Sequence, residues 1–145
     1  MINTTNIEEA KKLIKKEEIP KIVLAQNDEF NRKLLEYGKF NILLSPEMGS
    51  RKNKIRQTDS GLNHVLAKIA KKNNIAIGIN LEELKKLQPK QKGERLSKIK
   101  QNIKICRKAK TELAIKTKYL QEAKNLLQNI GASTTQLKEA ITAPK

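Results

Sequence analysis

Apolar and polar positions alternate along this chain in two distinct rhythms. From residue 7, Ile7, Ala10, Leu13 and Ile14 recur at helical spacing behind a capping box formed by Thr5 with Glu8 or Asn6 with Glu9, and Pro20 blocks continuation. This predicts a first helix over about 7–18. The apolar run 22–25 then reads as a strand. A helix follows, capped by Asp28, carrying Phe30, Leu34, Leu35 and Tyr37 on one side and ended by Gly38.

The same unit recurs. Ile42, Leu43 and Leu44 predict a second strand, and a loop runs through Pro46, Gly49 and the basic cluster of Arg51, Lys52, Lys54 and Arg56. Asp59 or Ser60 is expected to cap a helix whose buried stripe is Leu62, Val65, Leu66, Ile69 and Ala70. Residues 75–79 form a third strand, a short helix lies near 81–87, a polar loop spans 88–93, and a helix covers 94–109. Leu113, Ala114 and Ile115 make a fourth strand. Two helices close the pattern, one near 119–130 ended by Gly131 and one opened by a Ser133–Gln136 capping box and running to about Thr142.

Continuous apolar strands alternating with helices predict an α/β protein with a parallel sheet covered by helices. Four strands are too few for a closed eight-stranded barrel of about 250 residues, so an open sheet or partial barrel is expected, in a single domain over 1–145.

Charge changes the picture from fold to partner. Lysine and arginine total 31 against 15 acidic residues, and the formal net charge is +16. Residues 1–50 hold 8 basic and 8 acidic side chains, so the later residues carry the whole excess. Such an excess points to a polyanion. Trp is absent and Phe and Tyr number two each, which argues against an aromatic platform for stacking a run of single-stranded bases.

The densest stretch runs from Lys85 to Lys110, with 11 basic residues and one acid, Glu94. On a helical wheel Leu96, Ile99, Ile103 and Cys106 share a core seam. Lys100, Lys104, Arg107 and Lys108 fan out beside it, Arg95 and Lys98 border its other side, and Ile105 falls opposite, expected to be exposed. A solvated helix would intersperse acids for pairing, so phosphate contact is the reading this surface favours. A broad apolar face with Trp or Phe, needed for membrane binding, is missing.

Candidate chemistry is sparse. His64 is the single histidine and is expected on the polar side of its helix near Lys68; Cys106 is the single cysteine. Neither a zinc cluster nor an internal disulfide can be built from them, and the glycines match neither phosphate-loop spacing. No apolar run reaches the length of a membrane span, and the opening residues do not read as a signal peptide, so a cytoplasmic protein is expected.

Particular segments resemble a known family. Phe30, Asn31 and Arg32, the run 41–47, the run 59–68, the run 73–77, and Arg95, Lys100, Gln101, Asn102, Cys106, Arg107 and Lys108 are similar to ribonuclease P protein component 3, the archaeal counterpart of the thirty-kilodalton eukaryotic subunit. The likeness covers roughly residues 22–116.

The resemblance implies a barrel-like fold related to the polymerase and histidinol phosphatase superfamily, without its metal-binding histidines. It implies a non-catalytic, RNA-binding subunit supporting removal of the 5′ leader of precursor tRNA. The protein itself would bind no cofactor, and the RNA component, with magnesium, would perform the hydrolysis. Expected partners are ribonuclease P RNA and a small component 2-type subunit, with precursor tRNA engaged indirectly. Residues implied for RNA contact, or for holding the contact surface, are Arg56, His64, Lys68, Arg95, Lys100, Asn102, Arg107 and Lys108, to which the charge pattern adds Lys98 and Lys104.

Two departures stand out. The opening strand of the family is expected to be missing, leaving an unpaired sheet edge, and Lys116, Thr117 and Lys118 stand where a Ser-Gly segment is expected. A basic protein coating RNA or DNA, and a metal-dependent phosphoesterase on the same fold, are the alternative readings.

Overall fold

The computed structural model describes residues 1–48 and 59–142. Its first helix, α1 (Ile7–Lys16), starts where Asn6 accepts the backbone N–H groups of Glu8 and Glu9 at 2.9 and 3.1 Å. Strand β1 (Ile22–Leu24) leads to α2 (Asp28–Tyr37), which Asn27 rather than Asp28 caps by accepting the Phe30 N–H at 2.8 Å. Gly38 ends α2 with φ 73°, and a Cβ there would meet the Asn73 side chain at 2.9 Å.

Strand β2 (Ile42–Leu44) precedes α3 (His64–Lys72), whose cap is Asn63. Asp59 and Ser60, the expected caps, lie upstream, where the Asp59 carboxylate accepts the Gly61 N–H at 3.1 Å. The buried side of α3 runs through Leu66, Ala67 and Ala70. Val65, assigned to the stripe from spacing, sits in the exposed first turn at 53% accessibility, because the packed side begins one residue further on.

Strand β3 (Ala76–Asn80) runs directly into α4 (Leu81–Lys85). Helix α5 spans Pro89–Ala109, so most of the polar segment expected as a loop is its first turn. Proline is at home there, since the first turn has no use for its missing N–H. Strand β4 (Leu113–Lys116), α6 (Leu120–Asn129), α7 (Thr134–Glu139) with the foreseen capping box, and the two-residue β5 (Ile141–Thr142) follow; α7 stops short of the expected Thr142 because Ala140 turns extended and the next two residues pair with β4.

The five strands lie in the order β1-β2-β3-β4-β5, all parallel and not closed into a barrel. The fold class read from the sequence is therefore the one found, with β5 added. The edge beside β1 is not bare as expected: Ile2 donates to the Ile22 carbonyl and accepts from the Leu24 N–H, both at 2.8 Å.

Both faces of the sheet are apolar, which is why its strands read as unbroken apolar runs. Val23, Leu43, Ile77, Ile79, Leu113 and Ile115 join the large core with the helices. Ile22, Ile42, Leu44, Ala76 and Ala114 form a smaller cluster on the other face. Gly78 belongs to that second face, and a Cβ there would lie 2.8 Å from Leu44 Cδ1 and 2.9 Å from Ile42 Cγ2. Its partners across the ladder occupy the space a side chain would need.

Candidate nucleic-acid interface

The geometry of α5 decides which basic residues meet solvent. Ile99, Asn102, Ile103, Ile105 and Cys106 are buried, a wider arc than the seam drawn on the wheel. Ile105, expected to be exposed, is only 8% accessible. It belongs to the same core as Leu62 and Leu66, because α5 packs along α3.

Side-chain hydrogen bonds lock this placement. Asn102 Nδ2 donates to the Ser60 carbonyl at 3.1 Å, Thr111 Oγ1 to the Ala67 carbonyl at 2.7 Å, and Gln136 Nε2 to the Ile103 carbonyl at 2.9 Å. Asn102 is therefore a buried support for the segment entering α3 and not a direct contact residue.

Arg95 is also removed from the exposed set. Its Nε lies 3.3 Å from Glu47 and its Nη1 3.3 Å from Glu83, with the arginine side chain 12% accessible and that of Glu47 2%. Burial pushes the Glu47 carboxyl above the usual carboxylate range, against the opposing pull of the Arg95 guanidinium. Arg95 thus joins α5 to the end of β2 and to α4. Among the described residues, Nη2 of Arg95 and the hydroxyl of Ser45 are buried without a hydrogen-bond partner.

The remaining candidates come together. Lys100, Lys104, Arg107 and Lys108 are exposed along α5, and His64 and Lys68 are exposed one turn apart on α3. Two grooves flank the ridge they form. One, of about 300 Å³, lies between the start of α3 and α5 and is lined by Asn63, His64, Gln101, Lys104 and Lys108. The other, of about 420 Å³, lies toward the turn after α6 and is lined by Lys100, Gln101, Lys104 and Arg107. There Arg107 Nη1 donates to the Gly131 carbonyl at 3.2 Å.

Lys104 and Gln101 line both grooves, a role for Gln101 that charge patterning alone does not reveal. Lys98 is partly buried, and Arg56 with the rest of the basic loop lies outside the described residues.

Among the described residues, no carboxylate pairs with Lys100, Lys104, Arg107 or Lys108. Four cations on two adjacent turns, with the first turn of α3 facing the same groove, form an anion-attracting surface. Among the described residues there is also no group of three or more His, Cys, Asp or Glu side chains placed to hold a metal, and no helix long and apolar enough to cross a membrane.

Comparison with known proteins points to the same family as the resemblance. Ribonuclease P protein component 3 of Methanococcus maripaludis is 30% identical over 117 residues, covering 79% of this chain and 47% of that protein. The chain is a sequence relative of ribonuclease P protein component 3. The component 3 of Methanocaldococcus jannaschii is 29% identical over 89 residues, or 61% of this chain and 35% of the relative. The chain spans about half the length of the curated component 3 proteins it matches. No family model matches it. In three dimensions it superposes on a chain of the cryo-EM structure of archaeal ribonuclease P with mature tRNA, with TM-score 0.78 and 22% identity, covering 95% of this chain and 61% of that one. The likeness of fold thus extends over more of this chain than the sequence similarity does.

Proposed function

We propose that this chain is an RNA-binding subunit of a ribonuclease P, supporting RNA-catalysed removal of the 5′ leader from precursor tRNA. The observation that carries the reading is the ridge of cations on α5 that meet no carboxylate among the described residues, presented by a fold similar to component 3. Such a surface binds a phosphate backbone by releasing its counterions, and needs no nucleophile or base of its own. Magnesium belongs with the RNA component in this reading. The companions are the ribonuclease P RNA and a small component 2-type subunit, with precursor tRNA engaged indirectly.

Reconstitution tests the proposal. The full chain is added to ribonuclease P RNA and the companion proteins, and precursor tRNA cleavage is measured. Cleavage at limiting magnesium should rise on addition and fall when Lys100, Lys104 and Arg107 are replaced by Gln. Turnover by the protein alone with divalent metal, abolished by His64→Ala, would overturn the proposal in favour of a phosphoesterase. Companion binding is checked by light scattering on the mixture, where a complex of higher mass is expected.

A further inference from the structure

A third cavity lies toward the N-terminal half of α5, bounded by α4, α5 and α6. Its volume is about 310 Å³, and its floor is Leu81, Leu84, Leu96, Ala123 and Leu126. This is the small end of the range for ligand pockets, with room for one planar heterocycle. It sits beyond the ends of β3 and β4, the side on which parallel βα folds place their ligands.

Tyr119 stands at this cavity and is 57% exposed. The other aromatic side chains are engaged elsewhere: Phe30 and Phe40 are each 4% accessible, and Tyr37 is partly buried with the Lys11 ammonium 5.4 Å from its ring centroid. The position of Tyr119 is built in advance of any ligand. Thr117 Oγ1 accepts the Tyr119 N–H at 3.1 Å, and Glu82 accepts the Lys118 N–H at 2.8 Å and the Thr117 hydroxyl at 3.2 Å. Lys85 Nζ lies 4.6 Å from the Tyr119 ring centroid, a cation–π contact that holds the ring at the edge of the cavity.

The polar groups around this apolar floor are selective. Lys85 and Lys92 line it and suit a ligand carried on a phosphate backbone. Glu122, in the first turn of α6, also lines it and, when ionised, is an acceptor only. A carboxylate there takes hydrogen bonds from a base edge rich in donors. Guanine offers N1–H and its exocyclic amine side by side; uracil turns two carbonyl oxygens toward it.

We propose that this cavity receives one unpaired nucleobase of the bound RNA, with Tyr119 as the stacking surface and Glu122 favouring guanine. The proposal rests on the RNA-binding reading above and adds a second, base-reading contact to the phosphate-reading ridge. RNA is recognised in this manner where a bulged or looped base can be splayed out of its helix. One exposed aromatic ring is enough for a single base, although it could not form a platform for a run of them.

The test uses the full chain and four RNA hairpins that differ at one stem position: an unpaired guanosine, an unpaired uridine, an abasic ribose, or no bulge. Affinities are read by fluorescence anisotropy, with melting temperatures as a folding control. The guanosine bulge should bind about tenfold or more tighter than the abasic one. Y119A should remove that difference, Y119W should keep it, and E122Q should narrow the gap between guanosine and uridine. Equal binding of the guanosine and abasic hairpins, or a Y119A effect seen only on a companion protein, would overturn the proposal. The two readings fail separately: if no hairpin binds, RNA binding itself is refuted, whereas K100Q/K104Q/R107Q weakening all four hairpins alike, with Y119A silent, refutes only the base pocket.

Discussion

Helices α2 and α5 both lie at the surface, yet they treat their charges in opposite ways. On α2, Lys33 pairs with Glu29 at 2.9 Å and Arg32 with Glu36 at 3.1 Å, each one turn apart, so every cation of the helix meets an acid of the same helix. Lys33 also holds the Glu29 carboxyl below the usual range. On α5, Arg95 is taken by two carboxylates from elsewhere in the fold, while Lys100, Lys104, Arg107 and Lys108 have none among the described residues. The difference separates a helix that neutralises its own cations from one whose exposed cations meet no acid among the described residues.

The exception on α5 gives the largest expected effect. Arg95→Ala strands the Glu47 carboxyl in a site that is 2% accessible, and should cost about 3–5 kcal/mol in urea unfolding. The sign of its pH dependence follows from Glu47. A carboxyl whose folded pKa is raised binds protons more tightly in the native state, so the stability it contributes is present at acid pH and lost as pH rises through the folded value. Without Arg95 the folded value rises further, and the variant should be less damaged at pH 5 than at pH 7. An equal cost at both pH values would mean that packing, not charge, is what Arg95 supplies.

The buried seam of α5 gives the next. Burial pushes the Cys106 thiol up from 9.0 to about 12. Its contribution to stability is therefore present below pH 9 and is lost between about 9 and 12, up to about 4 kcal/mol at the top of that window. Cys106→Ala lacks this component, so the gap between wild type and variant should narrow on going from pH 8 to pH 11. A gap of constant size would place the thiol in contact with water.

Smaller in free energy but most direct for function, K100Q/K104Q/R107Q should weaken RNA binding by about one to two orders of magnitude at low salt. It should also reduce the log–log salt slope by about 3, with little change in melting temperature. The control on the other helix has the least effect: R32Q/K33Q should cost about 0.5–1 kcal/mol of stability and leave RNA affinity unchanged. Equal losses of affinity from the two sets would reduce the contrast between the helices to total charge.

Much of this was legible in the residues, because β1 to β4 are continuous apolar runs and α1 and α7 carry their capping residues in plain view, whereas the cap of α2 lies at Asn27, one residue before the expected Asp28. The start of α3 was not. Asp59, Ser60 and Asn63 are all competent caps, and the choice of Asn63 is made by where Leu66 and Ala67 meet the core. Ile105 was misplaced for a related reason: a wheel describes one helix and does not count its neighbours. Arg95 looked like its fellow cations because its partners Glu47 and Glu83 lie 48 and 12 residues away in the chain. Strand β5, at two residues, is too short for any periodicity to announce it.

The strand order has a consequence for how the molecule assembles. Since β1 to β5 lie side by side in the order in which they occur in the chain, each ladder joins a strand to its immediate predecessor, and no pairing must wait for a distant segment. Contact order is kept low for a parallel sheet, and the sheet can grow by accretion, one βα unit at a time, as synthesis proceeds. Each new strand meets a template already in place, so the nascent chain shows the cell one advancing edge at a time, and the basic ridge of α5 is laid down only after the sheet that holds it.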